Sequence, residues 1–207
     1  MNRINWLFFD LGTTLVDETA CYNSRIDYAV QASGIRREEF VHKVCEYAKT
    51  SALAFKSAVA YYGVALPKWN NDLERLYPGV KQLLHTLSQR YKLGIIANQA
   101  QGTKERLENW GIRQYFDVIV ASAEEGCEKP DPKIYEIALS RAKCAPEEAV
   151  MIGDRLDNDI VPAKRLGMKT VWVKQGFARF QCVSDEIEKP DYTVDTIPEV
   201  LDLFCGL

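Results

Sequence analysis

With 207 residues, 47% of them apolar and 27% charged, the chain has enough material for a real core in one or two domains and the composition of an ordinary globular protein. The 26 Lys and Arg against 29 Asp and Glu leave a net charge of -3, and with no Lys/Arg-rich run this argues against a nucleic-acid partner. A small anionic substrate stays compatible, because local charge can oppose net charge.

The apolar run Trp6-Leu7-Phe8-Phe9 is too short for a signal core or a membrane span, so no membrane association is expected. The cysteines at 21, 45, 127, 144, 182 and 205 form no C-x-x-C pair. They read as free thiols of a cytoplasmic protein rather than as a disulfide framework or a zinc site.

In chain order, residues 5–10 read as a buried strand closed by Asp10, with a turn at Leu11-Gly12-Thr13-Thr14. From about residue 19 the period becomes helical. Phe40, Val44, Tyr47, Ser51, Phe55, Val59 and Tyr62 recur at steps of three and four, as one long helix or a broken pair. Gly63 and Pro67 end that pattern, and Pro78-Gly79 marks a boundary. Val80, Leu83, Leu84, Leu87 and Tyr91 then stripe a new helix. Strands at 93–97, 117–121, 149–153 and 170–173 follow, alternating with helices at 102–111, 132–142 and 158–167, and a last helix covers 197–204.

Strands at regular intervals with helices between them predict an α/β fold, a doubly wound, Rossmann-like parallel sheet covered on both faces. The first strand is separated from the second by far more chain than a crossover needs. The division expected is therefore a core of residues 1–15 and 79–207, with 16–78 inserted as a small all-helical cap and no strand pairing inside 20–75.

In an open parallel sheet ligands bind beyond the carboxyl ends of the strands, where strand order reverses. Asp10, Asn98 and Asp154 stand at predicted strand ends, and Lys129 lies in the loop after the 117–121 strand. Each alone has an ordinary explanation: an aspartate ending a strand usually forms a turn or caps a helix, Asn98 is a turn residue, and a single lysine is usually solvated. Together they suggest more. If the first and fourth core strands are neighbours, Asp10 and Asp154 face each other and repel unless a cation lies between them. A hard divalent ion such as Mg²⁺ suits oxygen ligands of this kind.

Four segments resemble the motifs of the haloacid dehalogenase superfamily. They are Phe8-Phe9-Asp10-Leu11-Gly12-Thr13-Thr14-Leu15, Leu93-Gly94-Ile95-Ile96-Ala97-Asn98, Glu128-Lys129-Pro130-Asp131-Pro132-Lys133-Ile134-Tyr135 and Met151-Ile152-Gly153-Asp154-Arg155-Leu156-Asp157-Asn158-Asp159-Ile160. The third and fourth are quite specific, and a helical insert after the first resembles the cap of subfamily I. The resemblance implies a Mg²⁺-dependent hydrolase of a small phosphorylated metabolite. Asp10 would be nucleophile and metal ligand, the Gly12 carbonyl and Asp154 further ligands, and Asp159 a ligand or its hydrogen-bonding support. Lys129 would pair with Asp10 and the phosphate. The chemistry is consistent: a carboxylate attacking phosphorus needs neutralising charge on both partners, an aspartyl-phosphate splits the reaction in two, and backbone N–H groups of the turn after Asp10 can form an anion nest.

Two positions depart from the family pattern. Where its phosphatases usually carry an Asp as general acid and base, two residues after the nucleophile, this chain has Gly12; some members share that glycine. Where the second motif usually offers Ser or Thr to the phosphate, it has Ala97 followed by Asn98. A missing general acid costs about 10²–10⁴-fold, so slow cleavage of alkyl relative to aryl phosphates is expected. Gly12→Asp should narrow that gap unless Gly12 takes a positive φ that Asp adopts only at a cost. A non-hydrolytic Mg²⁺/anion-binding regulator and a carbon–halogen hydrolase are the alternatives. Tyr22, Arg25 and Trp69 are candidate cap contacts to substrate, beside their plainer role as helix surface and core.

Overall fold

The computed structural model describes residues 4–49, 53–186 and 188–205. Strand β1 (Trp6–Phe9) leads through β2 (Val16–Asp17) into helices α1 (Thr19–Ser33), α2 (Arg37–Ala48) and α3 (Ala54–Tyr61), and the chain returns through β3 (Arg75–Leu76). Then come α4 (Val80–Ser88), β4 (Lys92–Ala97), α5 (Thr103–Asn109), β5 (Val118–Ala121), a single turn α6 (Ser122–Glu125) and α7 (Pro132–Ala142). The last stretch holds β6 (Ala149–Gly153), α8 (Val161–Arg165), β7 (Lys169–Val173), β8 (Tyr192–Val194) and α9 (Val200–Cys205).

Six strands form one sheet in the order β5-β4-β1-β6-β7-β8, every pair parallel. The chain therefore winds outward from β1 to β5, crosses back, and winds outward again from β6. The switch point lies between β1 and β6, where ligands of such sheets bind.

The alternation of side chains along each strand explains the two layers. Leu7, Phe9, Ile95, Ala97, Val150 and Ile152 point to one face, where α4 and α9 add Leu83, Leu84, Leu87, Val200 and Phe204. Phe8, Ile96, Val120 and Met151 point to the other, against Ile134, Tyr135, Ala138 and Leu139 of α7. Gly94, opposite Phe8, has no room for a side chain, because a Cβ there would lie 2.5 Å from the Phe8 ring.

The helical stripe of 40–62 is a broken pair, with Phe40 and Val44 on α2 and Phe55 and Val59 on α3. Ser51 lies outside the described residues. With Ile26 and Ala29 of α1 these side chains make a third apolar cluster, joined by Phe177 and Phe180 from the loop after β7. At its base β2 and β3 pair antiparallel, Val16 with Leu76 and Asp17 with Arg75. Among the described residues, this is the only strand pairing that touches 20–75.

Candidate active site

The register of β1 on β6, with Phe9 beside Ile152 and the Asp10 N–H donating to the Ile152 carbonyl at 2.9 Å, brings the two strand ends level. Asp10 and Asp154 leave adjacent strands at the switch point. Asp159 arrives from a wider π-type turn over Leu156–Ile160. A Cβ on Gly153 would lie 2.4 Å from the Asp159 carboxyl carbon, so the absence of a side chain there is what admits Asp159. One carboxylate oxygen from each of Asp10, Asp154 and Asp159 lies within 4.8 Å of the others, and all three residues are buried.

Lys129 reaches this cluster from the loop after β5. Its Nζ donates to Asp10 Oδ1 and to Asp159 Oδ1, both at 2.6 Å, and the residue is 4% exposed. The Lys129–Pro130 peptide is cis. Burial alone would push the ammonium down, but the carboxylates of Asp10 and Asp159 outweigh it and hold Lys129 above its usual value. The Thr14 hydroxyl lies 3.3 Å from both Asp10 Oδ2 and Asp154 Oδ1. Burial, then the neighbouring Asp10 and Asp159, push Asp154 well above the usual carboxylate range. Asp159 is also raised by burial, against the pull of Lys129. Three buried carboxylates face one buried ammonium, and the excess negative charge together with the clustered oxygens fits a divalent cation.

The other sequence candidates divide. Asn98 clamps the Lys129 backbone, its Oδ1 accepting from the Lys129 N–H at 2.7 Å and its Nδ2 donating to the Lys129 carbonyl at 2.9 Å. Its amide is thus largely committed to positioning the lysine. Ala97 packs in the core layer and does not line the cavity above Asp10. Gly12 does line it. The proviso of a positive φ at Gly12 does not apply, because that conformation belongs to its neighbour Thr13, at φ 59°. Gly176 makes this possible, since a Cβ there would lie 2.3 Å from the Thr13 methyl. What restricts a side chain at position 12 is Glu18, whose Oε1 would lie 2.7 Å from the added Cβ.

The cavity has a volume of about 350 Å³ and is walled by Asp10, Lys129 and Asp154 below and by Tyr22, Arg25 and Trp69 above. Tyr22 packs edge-on against Phe55, Trp69 and Phe177. The Arg25 guanidinium lies 4.9 Å from the Trp69 ring centre and donates to the Pro67 carbonyl at 2.9 Å.

Several contributors carried no signal in the sequence. Gln175, buried, donates to the Thr13 carbonyl at 2.8 Å and fixes the turn after β1. The Arg155 N–H donates to Asp159 Oδ2 at 3.0 Å. Arg106 of α5 donates to Gln99 and to the buried Glu74, both at 2.6 Å, and Glu74 also accepts from Trp69 Nε1 at 2.8 Å, so the base of the helical insert is tied to the loop after β4. Glu18 reaches the cavity too, its Oε2 accepting from the Thr13 hydroxyl at 2.9 Å. Its carboxyl is raised to about 7, chiefly by burial, with Asp10 and Glu74 adding to the rise and Thr13 and Arg106 opposing it. Apart from Arg106 on α5, these residues sit in turns and at the insert's base, where no hydrophobic period marks a position.

Fold and side chains together define an α/β architecture with a buried acidic cluster at its switch point that could hold a cation. A model of the haloacid dehalogenase-like hydrolases matches residues 7–173, and the chain belongs to that family. It is an enzyme of the phosphatase kind. A glyceraldehyde 3-phosphate phosphatase of Pyrococcus furiosus is 31% identical over 98% of this chain and 94% of its own length. The pyrophosphatase PpaX of Bacillus mycoides is 28% identical over 99% of both. A HAD phosphatase structure from Thermococcus onnurineus superposes with a TM-score of 0.67 over 98% of this chain and 99% of its own, at 24% identity, which speaks for the fold. No helix among the described residues is long and apolar enough to cross a membrane.

Proposed function

We propose that the chain hydrolyses a small phosphate monoester by way of a phosphoryl group carried on Asp10. The observation that supports this most is the contact of Asp10 with Lys129 at 2.6 Å inside a buried cluster of three carboxylates. In this reading one Asp10 oxygen attacks phosphorus, the bond to the leaving oxygen breaks, and an aspartyl-phosphate forms. Water then attacks phosphorus, the acyl-phosphate bond breaks, and phosphate leaves with the Asp10 carboxylate restored. Lys129 orients Asp10 and offsets charge on the phosphoryl oxygens. Asn98 holds the lysine's backbone, and one of its amide hydrogens, with backbone N–H groups beside Ala97, is what the second motif has left to offer the phosphate. Mg²⁺ held by Asp10, Asp154 and the Gly12 carbonyl, with Asp159 as ligand or support, would neutralise the charge that otherwise keeps carboxylate and phosphate apart.

The helical insert 16–78 acts as a cap over a core of 1–15 and 79–207. An apolar cluster made chiefly by α1, α2 and α3, with Phe177 and Phe180 of the core against it, and the β2–β3 pair at its base support that division. A cavity of about 350 Å³ suits a small phosphorylated metabolite, the class named for the Pyrococcus furiosus relative; the net charge of -3 argues for such a partner over a nucleic acid. Six free cysteines agree with a cytoplasmic setting.

The test is phosphate release from a panel of phosphorylated metabolites with Mg²⁺. Wild type should turn over at least one of them, and Asp10→Asn should lose on the order of 10⁴-fold or more, as removal of a nucleophile does. Equal rates for the two proteins would sink the reading.

A further inference from the structure

We propose that Glu18 is the proton donor and acceptor of this site, its carboxyl reaching from the start of α1 into the space that Gly12 leaves open. The proposal rests on the phosphate-monoester reading above and adds to it the group that handles the leaving oxygen.

Geometry carries the assignment. A Cβ built on Gly12 would meet Glu18 Oε1 at 2.7 Å, Glu18 Cδ at 3.2 Å and Glu18 Oε2 at 3.4 Å, and these are its three nearest atoms. The Glu18 carboxyl therefore stands where a carboxyl-bearing side chain at position 12 would begin. It lines the cavity shared by Asp10, Lys129 and Asp154. The ordinary use of an acidic residue here would be to cap α1, since Glu18 is the residue just before that helix. It makes no side-chain cap bond. The carboxyl turns back instead, and the Thr13 hydroxyl holds Oε2 at 2.9 Å. Thr13 is itself fixed by the Gln175 bond to its carbonyl. No bond to Oε1 is made among the described residues, so that oxygen is available to the cavity.

The proton balance closes over one turnover. As Asp10 attacks phosphorus and the phosphorus–oxygen bond to the leaving group breaks, the Glu18 carboxyl gives its proton to the departing oxygen, which leaves as an alcohol. As water then attacks the aspartyl-phosphate, the Glu18 carboxylate takes a proton from that water, phosphate departs, and the enzyme is back where it began.

This reverses one expectation from the sequence. A vacant acid predicts steep dependence on the leaving group in wild type; Glu18 predicts a shallow one, which becomes steep when Glu18 is changed. The experiment uses p-nitrophenyl phosphate, whose phenolate leaves without a proton, and glycerol 3-phosphate, whose alkoxide needs one. In Glu18→Gln, kcat/KM for glycerol 3-phosphate should fall by about 10²–10⁴-fold, while kcat/KM for p-nitrophenyl phosphate changes by less than about fivefold, as expected where no proton is required. The same variant should release a first equivalent of nitrophenolate in a burst and then turn over slowly, because the second step has lost its base. The double variant Gly12→Asp with Glu18→Ala, which puts a carboxyl at position 12 once Glu18 has vacated the space, should recover much of the glycerol 3-phosphate rate. Equal losses on both substrates, no loss on either, or no burst and no rescue would overturn the assignment while leaving the Asp10 chemistry standing. A wild type inactive on every phosphate tested would instead overturn the phosphatase reading, and this proposal with it.

Discussion

The floor and the wall of the cavity are built on different principles. The floor is Asp10, Lys129, Asp154 and Asp159, fixed by the register of β1 on β6 and by hydrogen bonds of 2.6 Å among buried charges. The wall is Glu18, Tyr22, Arg25 and Trp69, carried by the helical insert and held by aromatic packing and by bonds to its own backbone. The floor has one arrangement because the sheet allows only one. The wall depends on the β2–β3 pair and on the tie from Arg106 to Glu74. Charge excess is concentrated in the floor, and the power to handle different leaving groups in the wall.

The largest effect should come from the floor. Lys129→Met removes the only ammonium bonded to Asp10 and Asp159 among the described residues and leaves their carboxylates buried without it. Metal-free protein should lose about 3–5 kcal/mol of stability, the usual cost of breaking a buried pair from one side. Urea denaturation in the presence of a chelator measures it. A loss under about 1 kcal/mol, the size of an exposed pair, would mean that the floor is more solvated than its geometry implies.

A somewhat smaller effect follows from the excess charge. Mg²⁺ at one hundred times its Kd should stabilise wild type by about 2.7 kcal/mol. Asp154→Asn keeps the shape and the acceptor for Thr14 but removes a ligand and a repelling charge. Its metal-free form should unfold at a higher temperature than wild type, and its response to Mg²⁺ should vanish. A thermal shift with Mg²⁺ that survives in the variant would place the cation elsewhere.

The wall gives the smallest effect, and it is one of pH. Glu18 is raised to about 7 in the folded, metal-free protein from an ordinary value of 4.5. Between these values the folded state holds a proton that the unfolded chain releases, so stability is greatest at low pH and is lost as pH rises through about 7. Relative to Glu18→Gln, wild type should lose about 2 kcal/mol between pH 5 and pH 8, allowing for the solvent that reaches the side chain. Parallel pH profiles for the two proteins would show that Glu18 is not desolvated, and the contrast between floor and wall would weaken.

The same contrast explains what the sequence made legible. Asp10, Asp154 and Lys129 follow strands whose side chains are buried on both faces, so hydrophobic runs located them and strand order brought them together. Asn98 likewise stands at a predicted strand end, although its pairing with the Lys129 backbone could not be foreseen, because it depends on how two loops cross, and Asp159 came with the motifs. Short elements escaped for a physical reason. β8 is three residues long with Tyr192 and Thr193 exposed, and β2 and β3 have two residues each, too few to show a period. The sequence does not single out Glu18, since it stands just before α1 where no period marks a position, and only the turn of its side chain toward Thr13 brings it to the site. The positive φ in this turn lies at Thr13, whose methyl sits where a Cβ on Gly176 would be, and local composition does not record a contact so distant in sequence.

The central claim is that the phosphoryl group passes through Asp10. Its most direct test is to quench the enzyme during turnover of p-nitrophenyl phosphate with Mg²⁺ and map the peptides by mass spectrometry. One phosphoryl group should be found on the peptide carrying Asp10, accumulating further in Glu18→Gln and absent from Asp10→Asn. Sustained hydrolysis with no phosphoryl on that peptide in either wild type or Glu18→Gln, or wild-type turnover by Asp10→Asn, would contradict it.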